Sequence, residues 1–176
     1  MDDIEFKDLI KTWPDFPTKG ISFKDVNPLI RTSESLNYLH KRLVDICSSF
    51  EVSKIAAIEA RGFFMGSLLA SSLNKGLVLI RKEGKLPGPT VKETYRIEYG
   101  TRIMEIQEDA ILSGEKILIV DDLLATGGTA LAAASLVEKL RATVVGFVFI
   151  ISLNYLEGPI KLRDKGYKVN TILEYE

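Results

Sequence analysis

Two adjacent aspartates, Asp121 and Asp122, stand between an apolar run at 116–120 and the sequence Ala-Thr-Gly-Gly-Thr at 125–129. The apolar run predicts a buried strand, so the two carboxylates should lie at its end. Carboxylates in that position can accept hydrogen bonds from sugar hydroxyls or hold a divalent metal ion. A turn that only caps the next helix needs one such side chain, so helix capping explains this pattern poorly.

The segment 125–129 has the composition of an anion-binding loop. Gly127 and Gly128 permit close backbone approaches, and the start of a helix would add N–H groups and a positive dipole end. The spacing fits neither a P-loop nor a dinucleotide fingerprint. A phosphate loop beside acceptors for a diol predicts a site for a 5-phosphoribosyl group. An acidic pocket of the response-regulator type is an alternative, but it would lack the Thr-Gly-Gly-Thr loop.

The elements that must hold these residues can be predicted from the hydrophobic pattern. Apolar runs predict strands and periodic segments predict helices. A segment with two glycines and two prolines, at 84–94, is predicted to be irregular and is followed by a hairpin at 95–106. The predicted strands lie at 54–60, 76–82, 116–120, 143–153 and 167–173, and the helices at 33–49, 63–73 and 127–141.

Strands that alternate with helices indicate an α/β fold with a parallel central sheet flanked by helices. Ligands of such sheets bind beyond the carboxyl ends of the strands. We therefore expect the loops after 54–60, 76–82, 116–120 and 143–153 to meet at one site.

Composition narrows the class of protein. The chain has 176 residues, a net charge of −1 and no apolar run near the ~20 residues of a membrane span, which argues against nucleic-acid and membrane partners. The single cysteine, Cys47, fits a reducing compartment, so a cytoplasmic location is predicted. The single histidine, His40, falls in a periodic helical segment, so catalysis should not depend on a histidine base.

Several segments together carry a resemblance to a known family. Val-Asp-Asp-Leu-Leu-Ala-Thr-Gly-Gly-Thr at 120–129 resembles the phosphoribosyl diphosphate (PRPP) signature of the type I phosphoribosyltransferases. With the segments 15–30, 59–63, 81–90 and 95–101 it is similar to the adenine phosphoribosyltransferases, in order over about residues 13–153. The resemblance implies the type I phosphoribosyltransferase fold as one domain, with a small N-terminal hood (about 1–31), a core (about 32–176) and a flexible lid hairpin (about 82–101).

The resemblance also implies how PRPP would be bound. The loop after the first strand would hold the diphosphate and contain a non-proline cis peptide bond near Glu59-Ala60. Asp121 and Asp122 would position the ribose, and the loop at 125–129 would bind the 5′-phosphate. The implied PRPP and AMP site comprises Arg61, Arg81, Lys82, Lys85, Asp121, Asp122, Ala125, Thr126, Gly127, Gly128 and Thr129.

For the base and the proton transfer, the resemblance implies a second group of residues. Glu98 and Tyr99 match the Glu-Tyr-Gly motif at the end of the lid, and Glu98 would be the acid/base near the purine imidazole. The base-binding residues would be Ser22, Phe23, Lys24 and Leu153, with contacts made largely by backbone groups. An arginine is usual at the position of Lys24, which puts a side-chain role for Lys24 in doubt.

The implied reaction converts adenine and PRPP into AMP and diphosphate, in purine salvage. Mg²⁺ is the implied cofactor, bound mainly through PRPP and water with no direct protein ligand, and a homodimer is the implied assembly. Two alternatives remain open on the sequence. One is a related enzyme for another base, a 6-oxopurine or a pyrimidine, and the other is a non-enzymatic regulator that senses PRPP.

Overall fold

The computed structural model describes residues 1–97 and 100–176, which form two compact units, Met1–Leu43 and Val44–Glu176. The elements of the first unit are the helix α1 (Asp3–Asp8), the strands β1 (Lys11–Trp13) and β2 (Phe23–Asp25), a 3-10 helix (Asn27–Ile30) and the start of the helix α2 (Ser33–Cys47).

Short elements close to one another in sequence build the first unit. The helix α1 begins with a capping box, in which Asp2 accepts from the backbone of Glu5 and the Glu5 carboxylate accepts from the backbone of Asp2. The strands β1 and β2 pair antiparallel, with Thr12 opposite Lys24. Phe6 is fully buried, and its ring lies 5.0 Å from the ring of Tyr38 on α2.

The second unit is built on a seven-stranded sheet in the order β5-β6-β4-β3-β7-β8-β9. The strands from β4 to β9 in that order run parallel, whereas β5 and β6 form an antiparallel hairpin at one edge. Three helices, α3, α4 and α5, connect the strands. The bounds are β3 (Lys54–Ile58), α3 (Gly62–Ser72), β4 (Gly76–Lys82), β5 (Thr90–Ile97), β6 (Gly100–Gln107), β7 (Lys116–Leu124), α4 (Gly128–Lys139), β8 (Thr143–Leu153), α5 (Gly158–Asp164) and β9 (Val169–Tyr175).

The predicted α/β class is confirmed, because apolar strands alternate with helices as expected. The core consists of the buried side chains of β3, β7 and β8 and the alanine-rich face of α4. Cys47 is 1% exposed, and burial raises the pKa of its thiol to about 12, so it is an inert core residue as predicted.

Several predicted boundaries were wrong, and two of them matter most for the site. The segment 84–94 was predicted to be irregular throughout, but β5 begins at Thr90 because its residues pair with β6 along their whole length. The strand predicted at 116–120 continues to Leu124, because β8 supplies partners for the polar residues too, with Asp121 opposite Phe149. The aspartates therefore belong to the strand.

Among the helices of residues 1–97 and 100–176, none has both the length and the apolar character that a membrane crossing requires.

Candidate active site

A cavity of about 220 Å³ opens where the chain leaves β7 and enters α4. Its wall contains both aspartates and the whole loop 125–129, together with Arg61 from the start of α3 and Phe149 from β8. Because β3, β7 and β8 are parallel neighbours, their carboxyl ends meet at this point. The predicted convergence of chemically active loops is therefore found for Arg61 and for the residues of 121–129.

The loop 125–129 presents its backbone to the cavity. Gly127 is the N-cap of α4 and has a φ of 82°, a left-handed conformation that glycine adopts at little cost. As a glycine, Gly127 has no side chain that could cap the first turn of α4. The N–H groups of that turn and the positive end of the helix dipole therefore point to the loop, as an anion-binding site requires.

Gly158, the first residue of α5, supports this loop from behind, and sequence reasoning missed it. Its N–H donates to the carbonyl oxygen of Ala125 at 3.1 Å. A Cβ atom at this position would lie only 2.1 Å from that oxygen and 2.9 Å from the nitrogen of Gly127. A sequence can show that Gly158 stands in a Gly-Pro turn, but it does not show what lies next to it.

The two aspartates are held differently. Asp122 is 4% exposed, whereas Asp121 is half-buried, and the Oδ1 atom of Asp121 accepts a hydrogen bond from the backbone N–H of Asp122 at 2.9 Å. Burial raises the pKa of Asp121 well above its usual value, and the negative charge of Asp122 adds to the rise. Burial also raises the pKa of Asp122, but the guanidinium of Arg61 opposes that rise.

Arg61 is the cation that faces the acidic pair. Its Nε atom lies 2.7 Å from Oδ2 of Asp122, yet among the described residues that oxygen accepts no well-aligned hydrogen bond. The contact is therefore an ion pair of close approach rather than a directed bond. Before Arg61, the peptide bond between Glu59 and Ala60 is cis, as the resemblance implied.

Replacing Asp121 with asparagine should stabilise the protein. A carboxyl group whose pKa is higher in the folded than in the unfolded chain weakens the fold when it is ionised. The substitution removes that charge, and the oxygen of the new amide can still accept from the N–H of Asp122. At pH 7 we expect a higher Tm in thermal unfolding, where each 1 kcal/mol of gain corresponds to about 2–4 °C at this chain length.

The pH dependence of this gain has a definite sign. The gain should be complete above the raised pKa of Asp121 and should vanish as the pH falls below the ordinary value of 3.8, where folded and unfolded wild-type chains are both protonated. Asp109→Asn, at an exposed position, is the matched control and should leave the Tm unchanged. A lower Tm for Asp121→Asn, or a gain that does not depend on pH, would contradict the prediction.

The predicted cations of the next loop lie outside the cavity wall. Arg81 and Lys82 end β4, and Lys85 follows in a turn. Arg81 pairs with Glu59 through two contacts, Nε to Oε2 at 3.2 Å and Nη2 to Oε1 at 3.4 Å. Its guanidinium also lies over the ring of Phe63, 5.8 Å from the ring centre. Glu59 thus connects the β4 end to the segment that carries Arg61.

Glu98 and Tyr99, the predicted catalytic pair, lie outside the described residues. The strand β5 is fixed to α4, because Glu93 forms an ion pair with Lys139 at 2.8 Å and accepts a hydrogen bond from Ser135.

The predicted base-binding residues fall in both units. Ser22, Phe23 and Lys24 belong to the first unit, where the Phe23 ring meets the Phe16 ring edge to face at 5.1 Å. The Nζ atom of Lys24 donates to the hydroxyl of Thr12 at 2.9 Å, across the β1–β2 pair. Leu153 belongs to the second unit, ends β8 and is 6% exposed.

Over residues 1–97 and 100–176, no three histidine, cysteine or acidic side chains are grouped so that they could enclose a metal ion. The acidic pair at 121–122 supplies carboxylate oxygens, of which Oδ2 of Asp122 already faces the guanidinium of Arg61 at 2.7 Å. This donor set fits Mg²⁺, which retains several waters and takes one or two carboxylates along with substrate phosphates.

Comparison with known proteins gives the family of the chain. Residues 41–174 match the family model described as "Phosphoribosyl transferase domain". A relative from Halothermothrix orenii named adenine phosphoribosyltransferase is 48% identical over 171 residues, which cover 97% of this chain and 99% of the relative.

Solved structures agree as well. The crystal structure of adenine phosphoribosyltransferase from Thermoanaerobacter pseudethanolicus superposes with a TM-score of 0.95 at 43% identity, covering 99% of this chain and 100% of that one. The enzyme from Saccharomyces cerevisiae superposes with a TM-score of 0.87 at 39% identity, covering 97% and 98%. The chain therefore belongs to the phosphoribosyltransferases and, among them, to the adenine phosphoribosyltransferase family.

Proposed function

We propose that this protein transfers the 5-phosphoribosyl group of PRPP to adenine, giving AMP and diphosphate in purine salvage. The observation that carries the proposal is the cavity in which the loop 125–129, the acidic pair and Arg61 meet. The relative from Saccharomyces cerevisiae was crystallised with adenine and an imino-altritol bisphosphate, which supports a pocket for a base and a phosphorylated sugar.

The 5′-phosphate would bind at the start of α4. Backbone N–H groups of Gly127, Gly128 and Thr129 and the hydroxyls of Thr126 and Thr129 would donate to its oxygens. This group does not react, so its binding energy can hold the ribose in a reactive position.

The reaction breaks the bond between the anomeric carbon and the diphosphate oxygen and forms a bond from that carbon to a nitrogen of adenine. Positive charge grows on the ribose ring while negative charge grows on the leaving group. Asp121 and Asp122 would accept from the ribose hydroxyls and stabilise the positive ring, and Arg61 would donate to the diphosphate. Ala125 contributes its backbone to the phosphate loop.

Arg81, Lys82 and Lys85 would complete the diphosphate site. In this structure Arg81 is paired with Glu59, so a contact of its guanidinium with diphosphate requires that pair to open or to be shared. Lid closure would exclude water from the reactive sugar.

Mg²⁺ would be held mainly by PRPP and water, with no direct protein ligand, because this ion dehydrates reluctantly and usually keeps several waters. When bound, it supplies positive charge that stabilises the leaving diphosphate. Arg61 supplies the same sign of charge from the protein.

Adenine would be read by the backbone groups of Ser22, Phe23 and Lys24, and Leu153 would give it an apolar contact. The hydrogen bond from Lys24 to Thr12 supports a backbone role, because it ties the Lys24 side chain to the neighbouring strand. Glu98 would take the proton that the attacking adenine nitrogen loses, and Tyr99 would be the second catalytic residue of the same motif. A cytoplasmic homodimer completes the proposal.

The test is a steady-state assay with PRPP and Mg²⁺ in which adenine, hypoxanthine, guanine and uracil are offered side by side. We expect AMP from adenine alone. Product from another base would overturn the reading of the base site, and PRPP binding without product from any base would favour a metabolite sensor.

Glu98→Gln tests the proton-transfer role in the same assay. Because a positioned acid/base contributes about 10²–10⁴-fold, we expect kcat to fall by at least about 100-fold while the Kd of PRPP changes little. A variant with unchanged kcat would remove Glu98 from the mechanism.

A further inference from the structure

Glu105, on the hairpin strand β6, is a buried carboxylate that the proposed reaction does not use. It is 2% exposed, and a buried charge is costly unless hydrogen bonds satisfy it. Its Oε1 atom accepts from the N–H groups of Lys85 and Leu86, both at 3.0 Å, and its Oε2 atom accepts from the hydroxyl of Thr90 at 3.2 Å. Burial acts to raise the pKa of Glu105, but these donors outweigh it and hold the pKa below its usual range.

Both backbone polar groups of Lys85 are hydrogen-bonded. Its N–H donates to Glu105, and its carbonyl oxygen accepts from Nη1 of Arg81 at 3.0 Å. Arg81 in turn is paired with Glu59, whose Oε2 atom also accepts from the N–H of Lys82 at 3.0 Å. A continuous chain of polar contacts thus runs from Glu59, two residues before Arg61, to the backbone of Lys85 and on to Glu105.

Further hydrogen bonds attach the turn between β4 and β5, residues 83–89, to β6 and to Glu108, which follows β6. The side-chain amide of Gln107 donates to the carbonyl oxygen of Pro87 at 3.1 Å. The backbone N–H of Glu108 donates to the carbonyl oxygen of Pro89 at 3.1 Å. The side chain of Lys85, in contrast, is exposed. The hydrogen bonds of this segment therefore fix the point from which the exposed side chain of Lys85 leaves the backbone.

We propose that Glu105 is a positioning residue that sets the place of the Lys85 ammonium relative to the diphosphate of PRPP. The proposal rests on the proposed function, since it assigns Lys85 to the leaving group. Glu105 does not touch the substrate, and it acts by fixing the backbone from which the Lys85 side chain extends.

The experiment is a double-mutant cycle in which kcat/KM is measured for PRPP. Glu105→Met keeps the length of the side chain and removes both acceptor oxygens. We expect it to lower kcat/KM for PRPP at least about tenfold, as misplacement of a binding group does, and to leave the KM of adenine unchanged. In a Lys85→Met background the same substitution should have almost no further effect.

Two more variants separate positioning from folding. Glu105→Gln retains an oxygen for the two N–H groups, and its amide can donate to the Thr90 hydroxyl, so activity should remain within about threefold of the wild type. Glu105→Asp keeps the charge but draws the turn back by about 1.5 Å, one bond length. It should give an intermediate loss that also disappears in the Lys85→Met background, so the test stands even if Glu105→Met fails to fold.

A wild-type kcat/KM for PRPP in folded Glu105→Met and Glu105→Asp, or losses that multiply with that of Lys85→Met, would overturn the proposal. An equal loss in Glu105→Gln would also overturn it. Failure of the wild-type protein to convert adenine would instead overturn the proposed function, so the two failures can be told apart.

Discussion

Gly158→Ala should lower kcat/KM for PRPP by about 100-fold or more. The new methyl group would lie 2.1 Å from the carbonyl oxygen of Ala125, which is backbone and cannot rotate away. The loop 125–129 or the start of α5 must therefore shift, and we expect the loop to be displaced; a displacement of about 1 Å in a positioning group costs about 10²-fold in rate. Because this loop binds the phosphate handle, the loss should fall on PRPP and leave the KM of adenine unchanged.

The control for this variant is Gly76→Ala, at the start of β4. There a new Cβ would meet only the side chain of Lys54, at 3.4 Å, so the same chemical change carries no clash. Steady-state kinetics with varied PRPP should give wild-type values for Gly76→Ala. Gly158→Ala kinetics within about threefold of the wild type would mean that α5 does not support the phosphate loop.

Arg61→Met should lower kcat/KM for PRPP by about 10²–10³-fold, the loss typical of removing one donor that stabilises charge in the transition state. It should also move the acid limb of the pH profile. Burial raises the pKa of Asp122, and the Arg61 guanidinium, 2.7 Å from its Oδ2 atom, opposes that rise. Without the guanidinium the pKa of Asp122 rises further, so activity should begin to fall at a higher pH than in the wild type.

A pH–rate profile for kcat/KM of PRPP measures both effects. Arg31→Met serves as the control, because Arg31 is exposed and does not line the cavity. If the acid limb of Arg61→Met lies at the same pH as that of the wild type, the ion pair with Arg61 does not set the pKa of the carboxylate that activity requires.

The sequence predicted best what depends on local pattern. The strands at 76–82 and 143–153 agree with the structure to the residue, because continuous apolar runs bounded by polar residues allow few other readings. The end of β7 was missed by four residues, because the aspartates break the apolar run although β8 pairs with the strand as far as Leu124. The extent of a strand depends on the strand beside it in the sheet, and a short stretch of sequence does not contain that information.

The same limit applies to the site. Asp121 and Asp122 and the loop 125–129 could be predicted because they are contiguous and chemically unusual. The ion pair between Arg61 and Asp122 joins residues from different strand ends and depends on β3 lying beside β7. Glu105 looked like an ordinary polar residue of an alternating strand, since its burial results from the turn that folds over it.

The contact between Gly158 and the phosphate loop also limits the length of the connection before it. Only residues 154–157 separate the end of β8 from Gly158. Both ends of this connection are fixed, because β8 is paired with β9 as far as Leu153 and the Gly158 N–H donates to the carbonyl oxygen of Ala125. Surface loops ordinarily accept insertions and deletions. Here one added or deleted residue would change the span by up to about 3.5 Å. This exposed connection, where Tyr155 is 53% accessible, should therefore be as intolerant of length variation as a segment of the core.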